Sequence, residues 1–132
     1  MLLDTNLVIR YIRQGALVPA DTVISVIVAA ELEAFALKLD WGYQKVYVMR
    51  TILERFKPIG ISEELIPDYA FLDAYSQGKL KDLPLPPGLS ARNMGKNDLW
   101  IAATALYFDV ELHTSDNDFD HLGPASVRVV KA

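Results

Sequence analysis

The 132-residue chain has the length of one ordinary domain, and 52% of its side chains are hydrophobic, enough for a single sizeable core. It contains no cysteine, which excludes a disulfide framework and a thiolate metal site, so any metal must be held by oxygen or by the imidazoles of His113 and His121. The 17 acidic and 13 basic side chains leave a formal charge of −4, which counts against a binder that grips nucleic acid through a basic surface unless cations neutralise converging acids.

No window reaches the roughly 18 consecutive apolar residues of a membrane span, and Met1 leads into Leu2, Leu3 and Asp4 without a basic segment. The expectation is one domain over residues 1–132, soluble, unexported and cytoplasmic, with no membrane partner. Met1 to Leu3 reads as a strand ending at Asp4, and Thr5 or Asn6 can cap the amphipathic stretch Leu7, Val8, Tyr11, Ile12. Thr22 to Ser25 reads as a second strand, with Ser25 capping a helix to about Leu39. Gly42 punctuates, Tyr43 to Phe56 has helical periodicity, and Pro58 to Ile61 is a short strand before the cap Ser62.

Glu63 and Glu64 suit a first helical turn, and that helix runs to Gln77 with Pro67 near its start. Gly78 to Lys96 is the one long irregular stretch, a length at which loops in small domains are often functional. Asn97 can cap Asp98 to Phe108, Val110 to Thr114 is the fourth strand, and Val127 to Val130 is the last. Strands alternating with helices predict a three-layer α/β/α fold with a central parallel sheet of about five short strands.

Sites in such sheets lie at the carboxyl ends of strands. Asp4 ends the first strand and Asp116 follows the fourth, although a lone aspartate there also serves as a turn or cap. Glu31 lies beside the buried stripe Val28, Leu32, Phe35, Leu39, while Glu33 falls on the opposite side. A carboxylate so placed needs a cation, hydrogen-bond donors or a proton, and a salt bridge to Arg10 or Arg92 would also satisfy it. Asp98 near a helix start is alternatively a favourable charge on the macrodipole. Together, Asp4, Glu31, Asp98 and Asp116 can meet at one end of the sheet, where they repel one another unless hard cations sit among them. Oxygen ligands suit Mg2+ or Mn2+, ions that can activate water and stabilise a leaving oxygen, so the implied chemistry is phosphodiester hydrolysis.

Asp4-Thr5-Asn6, Ala30-Glu31-Leu32, Gly95 to Ala103 with Asp98 inside it, and Thr114-Ser115-Asp116-Asn117-Asp118-Phe119 occur in that order along nearly the whole chain. In these motifs the sequence resembles the PIN domains, and among them the toxin ribonucleases of the virulence-associated-protein-C type. The resemblance implies a metal-dependent endoribonuclease with Asp4, Glu31, Asp98 and Asp116 as catalytic metal ligands and Asp118 in an outer shell. It further implies that Thr5, Asn6 or Thr114 orients carboxylates or metal-bound water.

It implies an RNA substrate, a homodimer and a cognate antitoxin, gripped by a helical hairpin within the motif-free stretch Trp41 to Arg92. The aromatics Trp41, Tyr43, Tyr47, Phe56, Tyr69, Phe71 and Tyr75 either line such a groove or pack between helices. Lys79, Lys81, Arg92 and Lys96 surround the long loop and are RNA-phosphate candidates, with a solvated loop the other reading. His113 is expected to pack or hydrogen-bond in its strand and His121 to lie on the surface. Two other functions compete: a binding or scaffold protein that keeps a divalent-ion site without turnover, and a phosphatase with an aspartyl nucleophile. The phosphatases of the haloacid-dehalogenase kind carry a second Asp two residues after the first, where this chain has Asn6.

Overall fold

The computed structural model describes residues 1–132 and begins with β1 (Leu2–Leu3). Neighbouring side chains of a strand point to opposite faces, yet Leu2 and Leu3 are 0% and 1% exposed. Both faces of the sheet are therefore covered. β1 pairs in parallel with β2 (Leu112–Thr114), and β2 pairs in parallel with β3 (Val129–Lys131).

The sheet has three strands rather than about five, because the segments expected at 22–25 and 58–61 shrink to single parallel bridges, Leu2 with Val23 and Ser25 with Ile59. Their backbone still pairs: Val23 N–H donates to Met1 O at 2.8 Å and Ile59 N–H to Ile24 O at 2.9 Å. Pro58 lacks an amide and shortens the outer segment. The lateral order is thus 59, 23–25, β1, β2, β3. After β1 the chain builds first to one side and later to the other, which puts a topological switch point between the carboxyl ends of β1 and β2.

Helix α1 (Thr5–Gln14) starts at Asp4, whose carboxylate accepts from Thr5 N–H, so the cap is the strand-end aspartate and not Thr5 or Asn6. Gly15 ends α1 at φ 61°, a conformation glycine adopts without strain, and its N–H closes on Ile12 O and Tyr11 O. Ser25 caps α2 (Val26–Lys38) through a 3.0 Å bond from Ile27 N–H. α3 spans Tyr43–Phe56. A short 3₁₀ turn, Glu63–Leu65, leads into α4 (Ile66–Ser76), where Pro67 sits in the first turn and costs no hydrogen bond.

α5 (Lys96–Phe108) begins two residues before the expected start, with Gly95 as its cap. Its Leu99, Ile101, Ala102, Ala103 and Ala105 are all 2% exposed or less, so this helix is enclosed nearly all round. It packs on α4 and meets α2, while α1 packs on α2 and α3. A 3₁₀ helix, Asn117–Ala125, follows β2 and was not expected. Its buried Phe119, Leu122 and Ala125 recur every third residue, the period of that helix.

Ser25 joins strand to helix and is fully buried, so its cap is tested directly. Ser25→Ala is expected to destabilise the fold by ~1 kcal/mol, read as a lower urea midpoint at unchanged m-value. An unchanged midpoint would show that water replaces the cap.

Candidate active site

The switch point is closed by two threonines. Thr114, last residue of β2, donates from Oγ1 to Asp4 Oδ2 at 2.8 Å, and both residues are buried. The other oxygen of Asp4 accepts from Thr5 N–H at 2.8 Å. Thr5 Oγ1 donates to Glu31 Oε1, also at 2.8 Å, which fixes the α2 carboxylate against the start of α1. Asp116 N–H donates to Thr114 Oγ1 at 2.9 Å, and Asp118 N–H donates to Asp116 Oδ1 at 3.0 Å. One hydrogen-bonded relay therefore runs Glu31, Thr5, Asp4, Thr114, Asp116, Asp118.

Asp98, in the first turn of α5, completes the cluster. Asp98, Asp116 and Asp118 each bring one carboxylate oxygen within 4.8 Å of the others. The turn capped by Asp116 folds Asp118 back into this group. Asp4 and Glu31 are not among these three, but their charges act on Asp98. Burial pushes the Asp98 carboxyl up to about 6, and the negative charges of Asp4, Asp116, Asp118 and Glu31 push in the same direction. Burial also raises Asp4, against the bonds from Thr114 and Thr5 that favour its ionised form. No lysine, arginine or histidine pairs with any of these five acids, and neither Arg10 nor Arg92 bridges Glu31. A set of hard oxygen donors that repel one another and have no protein counter-charge fits a divalent cation.

Asn6 is exposed and lies away from the relay, lining a separate hollow with Ile9, Arg10 and Phe35. A cleft of about 510 Å³ opens beside the acids, lined by the loop Gly88 to Gly95 together with Asp98 and Asp118. Of the four basic candidates only Arg92 lines it, with its guanidinium 3.5 Å from Asp118 O. Lys79, Lys81 and Lys96 are exposed and form no ion pair. Lys131, which the sequence did not single out, donates to Asp116 O at 2.8 Å, Asn117 Oδ1 at 2.6 Å and Asp120 Oδ1 at 3.0 Å, bracing the acidic turn from behind. His113 pairs with Glu111 at 3.2 Å as a strand residue. His121 is buried at 3% exposure instead of lying on the surface.

The family model described as PIN domain matches residues 1–123. The chain belongs to the PIN domain family. Solved structures agree with this PIN fold. VapBC2 from Rickettsia felis bound to a DNA fragment from its promoter superposes with a TM-score of 0.73 at 23% identity, over 99% of this chain and 97% of that one. VapBC-5 from Mycobacterium tuberculosis gives 0.70 at 25%, over 99% and 97%. VapBC-1 from nontypeable Haemophilus influenzae gives 0.69 at 25%, over 98% and 96%. These neighbours are toxin-antitoxin systems of the VapBC type. No curated protein matches the chain. No helix of this PIN domain is long and apolar enough to cross a membrane.

The raised Asp98 gives the metal-free protein a defined pH response. Unfolded, Asp98 loses its proton near 3.8, and folded near 6, so between these values the folded state holds a proton that the unfolded state releases. Its contribution is fully present below the lower value and is lost as pH rises through the upper one. Without metal, Asp98→Asn is therefore expected to match wild type at pH 4 and to exceed it at pH 7.5 by on the order of 1 kcal/mol, measured by denaturant unfolding in EDTA. A variant less stable at both pH values would make Asp98 a helix-terminus charge and nothing more.

Proposed function

We propose that this PIN domain is a divalent-metal-dependent endoribonuclease, the toxin of a toxin-antitoxin pair, which hydrolyses RNA phosphodiester bonds with Mg2+ or Mn2+. The observation that carries the reading is the approach of Asp98, Asp116 and Asp118 within 4.8 Å with no cation of the protein between them. Asp4, which accepts two bonds, and Glu31, which accepts one, extend the donor set, since each keeps further lone pairs for an ion. The bound ion supplies Lewis-acid polarisation of the phosphodiester and a water acidic enough to attack at neutral pH.

The remaining work falls to the chain's own residues. Thr114 holds the Asp4 carboxylate and the Asp116 amide together, and Thr5 holds Glu31, so the ligands are oriented before any ion arrives. Arg92 sits where a phosphate entering the cleft needs a positive partner, and Lys79, Lys81 and Lys96 offer weaker contacts along the loop. The net charge of −4 concentrates in part at this cluster, where cations neutralise it.

The partners follow from the opposite kind of surface. Leu17, Leu37, Tyr43 and Tyr47 are 89%, 84%, 83% and 62% exposed, and the two tyrosines stack 6.4 Å apart on α3. Homodimer and antitoxin contacts are assigned to the apolar surface formed by Leu17 and Tyr47, which line one hollow, and the adjoining Tyr43; a soluble monomer would leave this surface wet. Trp41, Phe56, Tyr69 and Phe71 are half-buried and Tyr75 fully buried, so those aromatics serve the interior.

Cleavage of structured RNA is expected to stop on chelation and to return with Mn2+ or Mg2+, and poorly with zinc, which favours nitrogen and sulfur ligands. Asp98→Asn and Asp116→Asn should abolish turnover, and Thr114→Val should lower it by roughly 10- to 100-fold. Full cleavage in excess EDTA contradicts the proposal, while metal binding without any turnover would describe a scaffold instead.

A further inference from the structure

The proposed nuclease leaves one buried polar pair without a task. Ser76, the last residue of α4, is fully buried, and its Oγ lies 2.8 Å from Nε2 of His121, itself 3% exposed. The neighbouring Tyr75 donates its hydroxyl to His121 O at 2.8 Å and stacks on the imidazole, rings 8° from parallel. The end of α4 therefore grips the 3₁₀ helix that begins at Asn117, right after Asp116.

The same serine also holds the cleft loop. Between residues 80 and 94 the only backbone hydrogen bond that reaches outside the loop runs from Arg92 N–H to Ser76 O, at 2.8 Å. Ser76 Oγ donates to Met94 Sδ at 3.2 Å. With Met94 accepting the serine's one proton, the tautomer consistent with this geometry donates from Nε2–H to Ser76 Oγ. That tautomer leaves Nδ1 as a bare acceptor, and Nδ1 has no partner. Burial pushes His121 below the ordinary imidazole range, which favours the neutral ring.

We propose that Ser76 and His121 are positioning residues: they tie the Gly88 to Gly95 wall to the helix behind the acidic turn, so that Arg92 faces a phosphate entering the cleft beside Asp98 and Asp118. The inference rests on the nuclease reading for its substrate. Its physical basis is separate, since the one backbone bond that leaves the loop and the Ser76 hydroxyl hold it over the cleft, with only the longer side-chain contacts Gln77 to Asn93 and Arg92 to Asp118 O beside them. Preorganising a phosphate-binding cation avoids the ordering cost at the moment of binding.

The test uses the full chain, Mn2+ and a labelled structured RNA. Ser76→Ala is expected to raise KM on the order of 10-fold while kcat and Mn2+ affinity stay near wild type. Arg92→Ala should raise KM similarly, and the double variant should be no worse than Arg92→Ala, because the serine acts through the arginine. His121→Gln, which keeps a donor, should retain the wild-type KM, and His121→Leu should behave as Ser76→Ala. Effects of Ser76→Ala and Arg92→Ala that multiply, or a loss of Mn2+ affinity with KM unmoved, would overturn the proposal. A wild type that cuts no RNA defeats the nuclease reading alone, and hydrogen exchange then decides the latch. Faster exchange of the 88–94 amides in Ser76→Ala, with the core unchanged, supports it, and unchanged exchange in that loop removes it.

Discussion

The 2.8 Å hydrogen bond from the Thr114 hydroxyl to the Asp4 carboxylate, which joins the ends of two strands, sets the terms for the rest of the molecule. The bond exists because β1 and β2 are parallel neighbours, so their carboxyl ends emerge side by side at the switch point. From it the relay extends to Glu31 on one side and to Asp118 on the other, through hydroxyl and amide donors. These donors stabilise ionised carboxylates without neutralising them, which is the arrangement a cation site requires and a salt-bridge network does not. Asp98 has no such donor, and burial, reinforced by the charge of the other acids, raises its carboxyl.

Much of the fold was legible because its helices carry local signals. Ser25 caps α2, Tyr43 to Phe56 forms α3 with the expected limits, and Pro67 falls in a first turn. The strands were overestimated because a β-branched or apolar tetrapeptide does not reveal how many neighbours it will find, and 22–25 and 58–61 each found a single bridge. The 3₁₀ helix at 117–125 escaped notice because Gly123 and Pro124 break the pattern of an ordinary helix, although the three-residue spacing of Phe119, Leu122 and Ala125 was present. His121 was misplaced for the same reason, since its burial follows from that helix.

The acids were visible as separate motifs, and their order along the chain allowed them to be considered together. Their ranking was not visible. Asp118 joins Asp98 and Asp116 only through the turn made by Asp116 Oδ1 and Asp118 N–H, a contact of side chain with backbone that residue spacing does not encode. Lys131 and Ser76 were silent in the sequence because their partners lie 11 or more residues away. The aromatic stretch from Trp41 to Tyr75 divided: Tyr75 went to the interior and Tyr43 to solvent, a split set by tertiary position and not by residue type.

We propose that the converging carboxylates hold a divalent cation and that Asp98, Asp116 and Asp118 are its nearest ligands. Equilibrium titration of the protein with Mn2+, followed by electron paramagnetic resonance, tests it most directly, comparing wild type with Asp98→Asn, Asp116→Asn and Asp118→Asn. Wild type is expected to bind saturably, and each substitution to weaken affinity about 10-fold or more. Equal Mn2+ affinity in all four proteins would contradict it.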